Sequence, residues 1–407
     1  MTIPTPEETT PAEPEIEEII SEQVKDERKR RWLLALLILL LLLICCVGIL
    51  FYRYITQPEP IPEILPEPIA EQIYYPPTFK FAITGIEQPL GVGVSPDGQR
   101  IYVTEGGGER LIKMYDRDGN LILSFSPPGT TRSNRIPAYI AVGADGRVYI
   151  SDSYNNVINI FDADGKFIDG IIGRDMTLSK FVTRETGSPP PEGTEFYYDN
   201  INKVVVYQLP GEEMQVVHAP ENEGWLPLGL RFGPAGDLLV TNLDGGKHGV
   251  IVIPAESLSG SLTEYAPQLK EFGKQGDGDG ELSFPNSAVT NSQGNFYVTD
   301  GNNSRVSVWS PDMQYQSVIG KGTAESALSL PRGLWMSGKD HLHVVDTVGQ
   351  VVKVFDVSGA EPVFLYSFGE FGNEQGLFNF PSDIFIDESG RVYITDRENG
   401  QVQIWSY

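Results

Sequence analysis

The sequence predicts an all-β chain, a β-propeller of four-stranded blades preceded by a single transmembrane helix, on three observations. After residue 80 a strand of the form hydrophobic, aromatic or aliphatic, hydrophobic, Ser/Thr, acidic or Asn recurs. Its copies are IYVTE from Ile101, VYISD from Val148, FYYDN from Phe196, LLVTN from Leu238, FYVTD from Phe296, LHVVD from Leu342 and VYITD from Val392. A period of roughly 40 to 60 residues belongs to propellers and solenoids. Gly, Asn, Asp and Pro separate these strands as turn residues do. Upstream, residues 32–54 read WLLALLILLLLLICCVGILFYRY, and a helix needs about 20 apolar residues to cross a bilayer.

Taken in order, the chain has four parts. Residues 1–31 hold an acidic, Pro- and Thr-rich stretch with too little apolar surface to repay ordering, so a disordered cytoplasmic tail is expected. It ends in the basic run Lys25, Arg28, Lys29, Arg30 and Arg31, while Arg53 stands almost alone at the far end of the apolar run. Lys/Arg excess marks the cytoplasmic flank, so residues 32–55 are expected to anchor a single-pass cell-membrane protein with its N-terminus inside and its propeller outside. A cleaved signal peptide is the competing reading. It is opposed by the length of the run, by the 31 residues before it and by the lack of a small-x-small site after it. A lipoprotein processed at Cys45 or Cys46 is a weaker third option, since neither cysteine follows a small residue. Residues 56–77 carry Pro at nearly every second or third place, as in a semi-rigid polyproline stalk. Residues 78–407 hold the repeats.

Composition narrows the function. With 30 Lys+Arg against 55 Asp+Glu the net charge is −25, which argues against nucleic acid as a partner. The only two cysteines are adjacent within the apolar run, so the exterior domain has no disulfide and no thiolate metal site; for an extracytoplasmic domain this size that usage is prokaryotic in character.

One unit can be laid out from its clearest copy. Pro285 opens an apolar strand, Ser292-Gln-Gly-Asn turns it, a second strand ends at Asp300, a third runs from Arg305 to Trp309, and a fourth closes at Gly320. Four short antiparallel strands repeated radially make a propeller blade. The chain here resembles the NHL-repeat propellers. The resemblance rests on Leu90-Gly-Val-Gly-Val with Pro96-Asp-Gly, on Ala144-Asp-Gly-Arg-Val-Tyr-Ile-Ser-Asp152 with Asn155-Asn-Val-Ile-Asn-Ile-Phe161, and on Pro381 to Asp396 with Asn399-Gly-Gln-Val-Gln-Ile-Trp405. The Gly-rich connections 272–285 and 368–381 match the linkers between such blades. The resemblance covers about four fifths of the chain and implies a fold more than a function, because propellers host scaffolds, receptors and enzymes alike.

The last unit stops after three strands at Tyr407, and the unassigned segment from Phe79 to Thr84 is expected to supply its outer strand. The third unit is degenerate, with a first strand drawn from residues 178–184 and a turn interrupted by Gly187-Ser-Pro-Pro-Pro-Glu-Gly193. Seven blades are expected, with six as the alternative.

Candidate chemistry is sparse, and no catalytic residue is assigned. Asp277 and Asp279 suggest calcium, but Leu282-Ser-Phe-Pro follows where an EF-hand loop needs further ligands. The reading is therefore an inter-blade turn, no cofactor and no assigned metal site. Of His218, His248, His341 and His343, the last occupies the place of Tyr102, Tyr149, Tyr297 and Tyr393, as a packing residue would. Asp152, Asp300, Asp346 and Asp396 recur too regularly to be catalytic and read as turn caps.

Two surfaces remain. Asn286, Arg332 and Asp383 are polar near the opening prolines, around the channel mouth, where Leu90, Ala138 and Leu228 are not. On the opposite face two insertions, 185–195 and 254–268, offer Arg184, Glu185, Glu192, Glu256, Glu264 and Tyr265. Long loops are uncommon unless used, so the expected function is a protein-protein or cell-surface-polymer interaction module. The resemblance also allows an alternative, a channel-centred, metal-dependent enzyme of the lactonase or lyase type.

Overall fold

The computed structural model describes residues 13–56, 74–219 and 223–407. The chain divides into two compact units, Met1–Ile73 and Tyr74–Tyr407. In the first, one helix spans Glu13–Thr56, and its segment Val24–Thr56 is long and apolar enough to cross a membrane. This helix is longer than the expected 32–55. It takes in the basic run and part of the tail expected to be disordered. The rest of that tail, 1–12, and residues 57–73 of the expected stalk lie outside the described residues.

The second unit is a ring of sheets. Its inner strands are Pro89–Val94, Pro137–Val142, Pro227–Phe232, Pro285–Thr290, Pro331–Met336 and Pro381–Ile386. Each lies beside the next, and the sixth returns to the first. The ring therefore closes through six blades, numbered one to six in that order, and the expectation of seven is corrected to its alternative. Residues 178–184 do not form a strand. Leu178, Phe181 and Val182 recur at helical spacing, and they are the buried face of a helix, Leu178–Thr186. Thr177 caps it by accepting the Lys180 N–H, and Gly187 ends it in the left-handed region at φ 79°. The strands Glu195–Asp199, Val204–Gln208 and Gln215–His218 then form a three-stranded sheet that contributes nothing to the ring. With the helix it packs against the outer edge of blade two, burying Phe181, Phe196 and Val205 with Val157 and Ile172.

Closure occurs as the sequence implied. Thr78–Thr84 pairs antiparallel with the last strand, Gln401–Ser406, as the outer strand of blade six. The Phe79 and Trp405 rings meet edge to face at 5.7 Å. This pairing removes an exposed edge and ties the ends of the ring together.

The recurring Ser/Thr has a physical role. Each inner strand is irregular just after its opening proline, so that two residues oppose one on the second strand, as in a β-bulge. A bulge leaves an N–H without a ladder partner, and the facing hydroxyl accepts it. Thr104 accepts from Gly91 at 2.9 Å, Ser151 from Tyr139 at 3.0 Å, Thr241 from Gly229 at 2.7 Å, Thr299 from Ser287 at 2.9 Å and Thr395 from Asp383 at 2.8 Å. Three of these hydroxyls also donate to the next blade, Thr104 to Ala138 O at 2.5 Å, Thr299 to Arg332 O at 3.0 Å and Thr395 to Leu90 O at 3.0 Å. Blades approach so closely here that a Cβ on Gly229 would stand 1.7 Å from Asn286 O.

The terminal carboxylates are caps. Asp152 accepts from the Ile136 and Tyr154 N–H groups at 2.9 and 3.0 Å, and Asp346 from Ser329 and Leu330 at 2.9 and 2.8 Å. Asp396 gathers the Asn379 N–H and the amides of Asn399, Gln401 and Gln403. His343 is buried, as its tyrosine-like position implied. Its Nε2 lies 2.6 Å from the Tyr407 hydroxyl, and burial lowers its pKa to about 4.

Candidate binding face

Seen along the axis, each inner strand starts on a front face and ends on a back face. The third residue of the six strands is Gly91, Tyr139, Gly229, Ser287, Gly333 and Asp383, and the fifth is Gly93, Ala141, Arg231, Val289, Trp335 and Phe385. Each column contains one charge. Arg231 of blade three and Asp383 of blade six, on opposite sides of the ring, form an ion pair in which both side chains are almost wholly buried. The guanidinium also donates to Ile140 O at 3.3 Å, Leu334 O at 3.2 Å and Ile384 O at 2.9 Å. Asp383 accepts the Val92 N–H at 3.1 Å. One pair thus engages blades one, two, three, five and six, and it fills the axis. Burial raises the Asp383 carboxyl above the usual range, with Arg231 pulling the other way.

The three residues expected at the channel mouth divide accordingly. Asn286 and Arg332 directly follow their prolines, but Ser382 holds that place in blade six and Asp383 is one residue further on. Asp383 therefore belongs to the plug, and its carboxylate is committed to Arg231 and Val92. Asn286 is buried and Arg332 half-exposed, and both lie close to the buried Tyr139 hydroxyl, whose pKa burial pushes up to about 12. Arg231 and Tyr139 were not singled out from sequence. The available signal was one arginine in a column otherwise of Gly, Ala, Val, Trp and Phe.

The two insertions come together on the back face. Residues 190–194 and 260–263 line a single cavity of about 480 Å³, with Asp169 and Ser179 in its wall. Three bonds fix the second insertion to blade two and its helix: Arg147 Nη1 to Leu258 O at 2.8 Å, Thr177 Oγ1 to Leu262 O at 2.6 Å and Lys180 Nζ to Tyr265 O at 2.7 Å. Leu258, Leu262 and Tyr265 are buried between blades two and three. Tyr265, expected to be a contact residue, is therefore a core residue, because the apolar side chains of this insertion fold inward over the inter-blade seam. Glu185, Glu192, Glu256 and Glu264 are exposed. Arg184, also exposed, pairs with Glu185 at 3.3 Å and lies over the Phe181 ring.

Asp169 is fully buried. It accepts the Gly170 N–H at 2.7 Å, the Ser179 N–H at 3.1 Å and the Ser179 hydroxyl, so it fastens the helix N-terminus to the outer strand of blade two. Burial outweighs these bonds and pushes its pKa up to about 6.

Among the described residues, no three His, Cys, Asp or Glu side chains converge as metal ligands would. In the calcium-like stretch, Asp279 accepts the Tyr315 hydroxyl at 3.0 Å, while Glu281 turns to Lys274 at 3.0 Å and the Gly278 N–H at 2.9 Å.

The NHL repeat family model matches residues 282–309 and 378–405, which fall in blades four and six. A solved streptogramin B lyase is similar in fold at 10% identity and a TM-score of 0.49, covering 81% of this chain and 98% of its own. A catalytically inactive virginiamycin B lyase variant from Staphylococcus aureus, solved with quinupristin, is similar at 12% identity and a TM-score of 0.49, covering 81% and 99%. A protein of unknown function from Bacteroides caccae follows at 12% identity and a TM-score of 0.45, covering 73% and 83%. With two matched repeats, a recurring blade pattern and a closed ring, this chain is a β-propeller that carries NHL repeats.

Proposed function

We propose that this chain is a membrane-anchored propeller, N-terminus cytoplasmic and blades outside, that binds a macromolecular partner of basic character through the back face carrying the two insertions. The observation that carries the reading is their convergence. Residues 190–194 and 260–263 build one cavity of about 480 Å³, and Glu192, Glu256 and Glu264 stay exposed on those insertions. Loops positioned by a rigid scaffold are a common place for recognition, and exposed carboxylates on a chain of net charge −25 favour a cationic surface. The axial plug supports binding over channel-centred chemistry, since the axial carboxylate is already committed to Arg231.

The test is charge reversal. The full chain with Glu192→Lys, Glu256→Lys and Glu264→Lys is compared, for partner retention from solubilised host membranes, with a control bearing Glu109→Lys, Glu325→Lys and Glu374→Lys. The control makes the same charge change on front-face loops. Loss in the first variant alone at low salt, with its difference from the unchanged chain narrowing as salt screens the charges, is expected; equal loss in both would defeat the assignment of the face.

A further inference from the structure

A second cavity on the back face, about 660 Å³ in volume, lies at the seam of blades five and six, far from the insertions. It falls within the roughly 300–1,000 Å³ of small-ligand sites. Its walls are unusually aromatic. Tyr74 stands edge-on to His341 with ring centroids 5.3 Å apart, Tyr75 is 74% exposed, and Trp335 is half-buried at the cavity's edge. The Tyr366 and Tyr407 hydroxyls lie 3.0 Å apart, with His343 behind Tyr407.

The lining discriminates among ligand classes. Lys339 is the only lysine or arginine in the wall, and the carboxylates of Asp387 and Glu388 stand with it, so a phosphate or other polyanion meets repulsion. An organic cation finds only Glu388 free, because Asp387 already accepts the Ser389 and Arg391 N–H groups and the Tyr393 hydroxyl, and Lys339 opposes it. A wholly apolar ligand would strip water from Lys339 and Glu388 without replacing it. A sugar ring meets each requirement. Its C–H faces lie on tyrosine and tryptophan rings, and its hydroxyls bond to Tyr366, Tyr407, Lys339 and Glu388.

We propose that the seam between blades five and six is a saccharide-binding site for a neutral glycan, with Tyr75 and Trp335 as stacking platforms and Glu388 as a hydroxyl acceptor. This site is independent of the insertion face and of the partner proposed there.

The test titrates the full chain in detergent with cellohexaose, maltohexaose and chitohexaose, following tryptophan fluorescence and binding heat. At least one should bind. Tyr75→Ala and Glu388→Gln, both at exposed positions, should each weaken that binding about 2- to 10-fold with an unchanged melt. Binding of none of the three overturns the proposal. So does binding that neither variant weakens, or a response to tetramethylammonium alone.

Discussion

Arg231 and Asp383 meet at the centre of the propeller from opposite blades, both almost wholly buried. The pair does more than close the channel, because its remaining hydrogen bonds go to main-chain groups of other blades. Losing one partner strands an unpaired charge. Arg231→Met alone or Asp383→Leu alone should therefore cost about 3–5 kcal/mol. The double variant should recover much of that loss. Denaturant midpoints check this; additive losses in the double variant would show that the two do not act as a unit.

Thr299 fills both halves of its hydroxyl's capacity, accepting Ser287 N–H and donating to Arg332 O. Thr299→Val keeps the shape and leaves the Ser287 N–H buried without that partner, at about 1–3 kcal/mol. Blade five carries Val345 at the equivalent place, so valine itself fits a blade, and the cost should appear in stability without change of fold. Chemical denaturation alongside circular dichroism measures both.

Asp169 should give the fold a pH dependence. Its carboxyl is pushed up to about 6 in the folded chain, against about 3.9 unfolded. Between those values the folded state holds a proton that the unfolded state has released. Stability must then fall as pH rises through the window, by roughly 3 kcal/mol, and level off above it. Asp169→Asn keeps an acceptor for the two N–H groups and cannot titrate. Its melting temperature should fall less than the wild type's between about pH 4 and pH 7; parallel profiles would contradict the assignment.

Much of the ring was legible because its signals are local. The second-strand pattern, the Asp caps and the closing strand from Phe79 to Thr84 each follow from a few adjacent residues, and the structure places them as expected. The blade count failed where two periodicities compete. Leu178, Phe181 and Val182 fit a strand only if helical spacing is ignored, and the regular hairpin that follows, residues 195–208, imitates half a blade. Tyr265 was misread because a loop's length says nothing of which side chains turn inward. Arg231 and Asp383 sit 152 positions apart, and only the closed ring reveals that their blades face each other.

The back face carrying the two insertions is the surface proposed to meet the partner. Photo-crosslinking in intact host cells separates the two faces, with p-benzoylphenylalanine placed singly at Glu192, Glu264 and, on the front face, Glu325. A discrete crosslinked species is expected from positions 192 and 264 and none from 325. Crosslinking from 325 alone, or from no position, would contradict that proposal.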